Sequence, residues 1–123
     1  FFFPRADTSG CTAESIAFTN LQSDFEKLNC VIIGISKDNP KKQLKFREKY
    51  NLTCQLGADF ENNVCEQFGV WVEKSMYGKK YMGIQRSTFL CDEKGTIKKI
   101  WEKVKVPGHA DEVLQAVKDL NVS

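Results

Sequence analysis

The sequence predicts one α/β domain over residues 1–123, with a central mixed β-sheet flanked by helices. Two observations support this fold class. Apolar runs typical of strands alternate with segments whose apolar residues recur every three or four positions, as in helices. The chain then closes with two strands and a helix, so the predicted sheet is mixed rather than purely parallel. The length and the 41% hydrophobic content suffice for one buried core.

The first half of the chain predicts two strands and two helices in alternation. Phe1–Phe3 have the character of the end of a buried strand, and Cys30–Ser36 is a continuous apolar run typical of a strand buried on both faces. A helix is predicted from Cys11 to Leu28, and a second one from Pro40 to about Tyr50. The apolar positions that indicate these helices are Ala13, Ala17, Leu21, Phe25 and Leu28 in the first, and Leu44 with the aromatic residues in the second.

The second half predicts a short helix, an irregular stretch, a hairpin and a final helix. Asp59 is a candidate cap for a helix in ENNVCEQFG, with Gly69 as its end. Residues Val70–Gly83 have no clear period and are predicted to be a loop. The runs IQRSTFLC and TIKKIWEKV flank a four-residue turn that ends in glycine, which is typical of an antiparallel hairpin. Ala110–Leu120 has one apolar face and predicts the last helix.

Composition and charge exclude several classes of function. A net charge of +2, from 18 basic and 16 acidic residues, is too balanced to indicate nucleic-acid or membrane binding, and no apolar run reaches transmembrane length. The five cysteines form no Cys-x-x-Cys pair, and the chain has one histidine, His109. We therefore expect no disulfide framework, no metal site and no cofactor. This cysteine usage favours a reducing compartment, for which we expect the cytoplasm.

Cys11 is the residue whose position indicates chemistry. It lies in the first turn of its predicted helix, where unpaired amides and the helix dipole favour an anion, and the thiolate is the reactive form of cysteine. Thr8 could present its hydroxyl to the same place, and Pro4 could shield it from water. A cysteine at a helix start is also often a small buried apolar residue, so position alone leaves both interpretations open. For Cys30, Cys65 and Cys91 a core role is expected; Cys54, at a strand entrance, could serve either role.

The motif P-x3-T-x2-C, present as Pro4, Thr8 and Cys11, resembles the signature of the peroxiredoxins, whose active site also has an arginine on a later strand, here Arg86. DTSGCTAES resembles the DTPGCTTEA of the bacterioferritin comigratory protein, or peroxiredoxin Q, group. GVWVEKSMYGKKYMGIQRSTFL and IWEKVKVPGHADEVL also resemble that group, so the likeness covers essentially the whole chain.

The resemblance implies a thioredoxin-like fold and a thiol peroxidase that reduces hydrogen peroxide and organic hydroperoxides. Cys11 would attack the peroxide and become a sulfenic acid, while Arg86 would stabilise the thiolate and the charge on the leaving oxygen. The supporting positions implied by the family are the Thr8 hydroxyl, the amides of Cys11 and Thr12, Pro4 as a shield, and Glu14 as a residue that orients Arg86. Thioredoxin or a small thiol would be the reductant, and the oligomeric state would be a monomer or weak dimer.

The sequence departs from that family at two places. Many members carry a resolving cysteine five residues after the reactive one, where this chain has Ile16, and the segment from Pro40 to Tyr50 has no cysteine either. A one-cysteine enzyme with an external thiol is favoured over resolution by another cysteine. A peroxide sensor or holdase on the same scaffold is a further alternative. Family members also have a hairpin and a strand before the active-site loop, of which only Phe1–Phe3 are expected to remain.

Overall fold

The structure, a computed structural model, describes residues 1–122, with side-chain surroundings through residue 120. Five helices and six strands occur in this range. The helices are α1 (Ser9–Asn20), α2 (Gln22–Lys27), α3 (Pro40–Tyr50), α4 (Val64–Gln67) and α5 (His109–Val122). The strands are β1 (Ile33–Ser36), β2 (Gln55–Ala58), β3 (Trp71–Met76), β4 (Lys79–Ile84), β5 (Thr88–Cys91) and β6 (Ile97–Trp101).

Parallel and antiparallel pairing both occur, as predicted. β1 pairs with β2 in parallel, while β3 with β4 and β5 with β6 form antiparallel pairs. Phe2 joins the first pair to the last, because it forms a parallel bridge to Ile35 and an antiparallel bridge to Ser87. The three phenylalanines are buried, which confirms that they have the environment of a core strand.

The main core lies between the helices and the two strand pairs that Phe2 joins, β1–β2 and β5–β6. Phe3, Phe18, Phe25 and Phe46 have almost no exposed surface, and they pack with the apolar face of α5. Burying side chains of this size is the main favourable term in folding a domain of this length. α1 is consequently held on one side by aromatic packing, and its first turn is placed at the edge of the core.

Two of the predicted elements are shorter than expected. The helix predicted from Cys11 to Leu28 is interrupted at Leu21, and α2 begins at the next residue. Thr19 and Asn20 favour the break, because both are weak helix formers. The strand predicted over Cys30–Ser36 pairs with β2 only from Ile33 to Ser36. It was also expected to be buried on both faces, but Val31 and Ile33 are 68% and 46% exposed.

The loop predicted over Val70–Gly83 is instead the hairpin β3–β4. Its strands are mostly exposed on both sides, so no alternation of apolar and polar residues marks them. Tyr77 and Gly78 form the turn with positive φ angles of 52° and 78°, which match the twist of a two-residue hairpin. Leu44 was expected on the buried side of α3 but is 56% exposed; Gln43 is buried there instead and donates to the Ser36 hydroxyl and the Gly57 carbonyl.

The core role expected for Cys91 is wrong, because this residue at the end of β5 is exposed. Several other predicted elements are confirmed, although β5 begins only at Thr88 and β6 ends at Trp101. α3 has the predicted bounds, the β5–β6 hairpin turns at Gly95 with φ of 81°, and α5 covers the predicted final helix. Asp59 accepts hydrogen bonds from the first amides of α4, at Val64 and Cys65, and Gly69 follows that helix with φ of 72°. No helix among the described residues is both long and apolar enough to cross a membrane.

Candidate active site

The loop before α1 is fixed from two sides. The Ala6 amide donates to the Asp38 carboxylate at 2.7 Å, and Asp38 also accepts from the Ser36 hydroxyl. Asp7 adopts a left-handed conformation, with φ of 62°, and its carboxylate accepts from Lys49 and Tyr50 on α3. These contacts define where α1 begins and therefore where Cys11 lies.

Cys11, Arg86 and Glu14 form a buried cluster. Cys11 has no exposed surface, and the Arg86 Nη2 donates to its Sγ at 3.3 Å. The Arg86 Nη1 donates to the Glu14 Oε1 at 2.7 Å, in an ion pair whose carboxylate side chain is 1% exposed. One planar guanidinium thus holds the thiol and the carboxylate in fixed relative positions.

Arg86 reaches this cluster from the short segment between β4 and β5. Three backbone hydrogen bonds fix this segment. The Gln85 amide donates to the Val70 carbonyl and the Ser87 amide to the Phe2 carbonyl, while the Arg86 carbonyl accepts from the Val104 amide. Gly10 provides the space for its side chain, because a Cβ at that position would lie 3.1 Å from the Arg86 Nη2. The approach of the guanidinium to the start of α1 therefore depends on glycine.

The electrostatics of the cluster are dominated by burial and by the Arg86 charge. Burial disfavours the guanidinium, but the negative charges of Cys11 and Glu14 together raise the pKa of Arg86. Burial raises the pKa of Glu14 against the opposing effect of Arg86, and the Glu14 Oε2 has no hydrogen-bond partner among the described residues. Arg86 thus remains cationic, and it faces the sulfur with a permanent positive charge.

The other predicted site residues lie in the loop and the first turn of α1. The Thr8 hydroxyl donates to the Arg5 carbonyl at 2.9 Å, which leaves its lone pairs as acceptors. The Thr12 amide donates to the Thr8 carbonyl at 2.9 Å, and Pro4 is half-buried in the loop. Of the six predicted residues, the structure joins Cys11, Glu14 and Arg86 by direct contacts, and the roles of Thr8, Thr12 and Pro4 stay predictions.

All five cysteines are free thiols. Ile16, at the position of the expected resolving cysteine, packs against the main core. Cys54 and Cys65 are buried, Cys30 is partly buried and Cys91 is exposed. Within residues 1–122, no group of three or more His, Cys, Asp or Glu side chains is placed to hold a metal ion.

Sequence reasoning missed three charged residues around the site. Asp7 and Asp38 shape the loop, and Lys74 on β3 donates to the Ile84 carbonyl just before Arg86. Asp38 reaches Ala6 across 32 positions of sequence and Asp7 reaches Lys49 across 42, so no local pattern could reveal these partners. Lys74 lies in the stretch that was predicted to be a loop. A single lysine between two other polar residues gives no sequence signal of its own.

The chain was compared with protein families, characterised sequences and solved structures. The AhpC/TSA family matches residues 1–100. A putative peroxiredoxin bcp of Coxiella burnetii is 50% identical over 114 residues, covering 93% of this chain and 76% of the relative, and the peroxiredoxin Bcp of Bacillus subtilis is 46% identical over 121 residues, covering 98% and 77%. A structure of peroxiredoxin Q from Xanthomonas campestris superposes with a TM-score of 0.92 at 42% identity and covers 98% of this chain and 76% of that one. The chain therefore belongs to the AhpC/TSA family, with the thioredoxin-like fold and the thiol peroxidase activity of its Bcp and peroxiredoxin Q members.

Proposed function

We propose that Cys11 is the nucleophile of this thiol peroxidase. Its thiolate attacks the terminal oxygen of a hydroperoxide, a sulfur–oxygen bond forms, and the oxygen–oxygen bond breaks. The electron pair of that bond leaves with the second oxygen, which takes up a proton and departs as water or an alcohol. Cys11 is then a sulfenic acid, oxidised by two electrons, and the peroxide is reduced by the same two.

The observation that carries this proposal is the 3.3 Å hydrogen bond from Arg86 to the Cys11 sulfur. During the attack negative charge moves from sulfur to the leaving oxygen, and a fixed cation stabilises both positions without rearrangement. Glu14 supports the proposal because its ion pair at 2.7 Å limits the orientations open to the guanidinium. Thr8, the Cys11 amide and Pro4 are proposed to hold the peroxide and to exclude water around it, whereas the Thr12 amide is already bonded to the Thr8 carbonyl and is not free for the substrate.

An external thiol is the proposed reductant, which makes this a one-cysteine enzyme. A first thiolate attacks the sulfenic sulfur and releases water, and a second thiol then releases Cys11 from the mixed disulfide. Ile16 supports this because it replaces the expected resolving sulfur. Thioredoxin is the first candidate, followed by small thiols. The free thiols favour a reducing compartment such as the cytoplasm, and a monomer or weak dimer is proposed.

Both hydrogen peroxide and organic hydroperoxides are proposed as substrates. The bacterioferritin comigratory protein of Xanthomonas campestris, a structure with a TM-score of 0.92, is described for its alkyl peroxide reduction activity. The pocket beside the loop before α1 is lined by Ala6 and Phe46 as well as by charged side chains, and these apolar groups could contact an alkyl substituent on the peroxide.

The decisive experiment combines turnover with a map of oxidised cysteines. Peroxide consumption with thioredoxin or dithiothreitol should be lost in Cys11→Ser and retained in the matched variant Cys65→Ser. Mass spectrometry after one equivalent of peroxide should find a sulfenic acid on Cys11. A Cys11 disulfide to another cysteine of the same chain would replace the one-cysteine mechanism with a two-cysteine one, and turnover in Cys11→Ser would contradict the proposed nucleophile. Oxidation of Cys11 without turnover would instead favour a peroxide sensor.

A further inference from the structure

Lys74 is a second cation held against the segment that carries Arg86. It lies on β3 opposite Tyr81 of β4, and it is half-buried, whereas Lys79 and Lys80 of the same hairpin are exposed. Its ammonium donates to the carbonyl of Ile84, the last residue of β4 and two positions before Arg86. A long side chain is therefore ordered across the hairpin toward the active-site segment, where a surface lysine would extend into water.

Gly83 provides the path for this side chain. A Cβ at Gly83 would lie 3.1 Å from the Cδ and 3.3 Å from the Cε of Lys74, which is closer than ordinary packing allows. The same relation holds at Gly10, where a Cβ would lie 3.1 Å from the Arg86 guanidinium. The side chains of Arg86 and Lys74 thus each pass over a glycine, and in each case an added methyl group would require the side chain to shift by a few tenths of an ångström.

The charge of Cys11, the proposed nucleophile, is one of the effects that act on the pKa of Lys74. Burial lowers the pKa of Lys74, the positive charge of Arg86 lowers it further, and the negative charge of Cys11 opposes both. Among the side chains described, through residue 120, no carboxylate forms an ion pair with Lys74. A partly buried cation without a carboxylate is costly, and here the Ile84 carbonyl and a Cys11 thiolate are the groups that offset this cost.

The segment that Lys74 holds matters because Arg86 is the cation that contacts the sulfur. Negative charge comes to this site twice in the proposed cycle, on the leaving oxygen of the peroxide and on the thiolate that attacks the sulfenic acid. A guanidinium held in place stabilises both without rearrangement.

We propose that Lys74 is a positioning residue for the peroxidase reaction, which holds the Ile84 carbonyl and so fixes the segment from which Arg86 reaches the Cys11 sulfur. This inference rests on the proposed role of Cys11. It extends the reactive cluster onto the β3–β4 hairpin, so that this hairpin is part of the catalytic apparatus through one side chain.

The test compares Lys74→Met with Lys80→Met, since both remove one charge from the same hairpin and keep the aliphatic stem. For Lys74→Met we expect kcat/KM for hydrogen peroxide to fall about 10-fold, less than the about 10²-fold or greater loss that follows removal of a direct donor. The pH at which half of Cys11 is alkylated by iodoacetamide, located by peptide mass spectrometry, should move upward. Lys80→Met should change neither quantity. Lys74→Arg should restore part of the rate, and Gly83→Ala should shift both quantities in the same direction as Lys74→Met.

The outcomes separate this inference from the proposed function. If Cys11→Ser is inactive while Lys74→Met matches Lys80→Met in rate and alkylation profile, Lys74 has no part in the reaction although Cys11 does. A slower Lys74→Met with an unchanged alkylation profile would also overturn the inference, because it would reduce Lys74 to a structural contact. Thermal melts of all variants identify any that fail to fold, and Lys74→Arg then carries the comparison.

Discussion

Two of the five cysteines, Cys11 and Cys65, have no exposed surface and lie in the first turn of a helix. The charged side chain that contacts one of them is positive, and the one that contacts the other is negative. At the start of α1, Cys11 receives a hydrogen bond from Arg86 at 3.3 Å. At the start of α4, the backbone amide of Cys65 donates to the Asp59 carboxylate at 2.8 Å. The helix position is therefore the same in the two regions, and the nearest charged group differs in sign.

The second region shows a helix start at which a carboxylate, and not a cation, contacts the cysteine. Burial, followed by the hydrogen bond and the charge of Asp59, raises the pKa of Cys65 to about 12 against the opposing charge of Lys37. A thiol in this state is not a nucleophile near neutral pH. The contrast teaches that a helix N-terminus alone does not activate a buried cysteine, and that the fixed guanidinium is what distinguishes the α1 region.

Replacing Arg86 should remove that distinction and produce the largest effect. For Arg86→Met we expect kcat/KM for peroxide to fall about 10²–10³-fold, because the cation that contacts the sulfur is lost. Arg86→Lys should recover only part of the rate, since an ammonium cannot hold Cys11 and Glu14 together in one plane. Steady-state peroxide consumption measures both, with Arg47→Met on the exposed side of α3 as control. A kcat/KM for Arg86→Met within about threefold of that of the unmodified protein would show that Arg86 is not what distinguishes the α1 region from the α4 region.

Glu14→Gln tests the acidic residue of the α1 region. Glu14 lies behind Arg86 and reaches the sulfur only through it, whereas Asp59 binds directly to the backbone of Cys65. A charge-assisted hydrogen bond contributes about 1.5–3 kcal/mol, so we expect kcat/KM to fall about 10-fold as Arg86 loses its fixed orientation. Glu61→Gln, an exposed site, is the matched control. An unchanged rate for Glu14→Gln would show that the backbone of Arg86 suffices to orient it.

Local sequence pattern predicts that Cys11 lies at the start of a helix, whereas the charged residues around it follow only from the resemblance to a known family. Helix periodicity predicts α5, a proline at its first position marks the start of α3, and the glycine-ended turn predicts the β5–β6 hairpin. The likeness to a known family predicts Arg86 and Glu14, which lie 72 positions apart in the chain. No local pattern could have linked them.

The remaining differences between the sequence predictions and the structure arise from tertiary contacts. The β3–β4 hairpin is exposed on both sides and so has no hydrophobic alternation, although Lys74 gives it a contact with the active-site segment. Asp59 was identified as a cap of α4, yet its effect on Cys65 depends on how the two are buried together. Whether a carboxylate caps a helix can be predicted from local sequence, whereas its influence on a buried thiol cannot.

Asp59→Asn should make the α4 region slightly more like the α1 region. Asparagine keeps an oxygen for the amides of Val64 and Cys65 but removes the negative charge. We expect the pKa of Cys65 to fall from about 12 and to stay above the ordinary 9.0, because burial is its largest cause. In a Cys11→Ser background, alkylation of Cys65 at alkaline pH should become a few times faster, with no gain in peroxide turnover. Asp92→Asn, which caps a turn far from Cys65, serves as control. An unchanged or slower alkylation of Cys65 would contradict the role given to Asp59.

The same carboxylate should stabilise the fold in a pH-dependent way, and this is the smallest expected effect. Burial opposes the charge of Asp59, but the amides of Cys65 and Val64 and the Lys37 ammonium outweigh it and lower the pKa of Asp59 below its ordinary 3.8. A depressed carboxyl pKa contributes stability that is fully present above the unfolded value and is lost as pH falls through the folded one. The difference in free energy of unfolding between the unmodified protein and Asp59→Asn should therefore be below about 1 kcal/mol near neutral pH and shrink toward about pH 3.

Urea denaturation at a series of pH values measures this difference, and Asp111→Asn, exposed on α5, provides the reference. A difference for Asp59→Asn that is independent of pH would mean that only its hydrogen-bonding oxygen matters, which asparagine shares. A difference that shrinks with acid would show that the charge itself stabilises α4. In that case the carboxylate that adds to the effect of burial on the pKa of Cys65 also stabilises its helix, whereas in the α1 region the charged group that contacts the cysteine is the Arg86 cation.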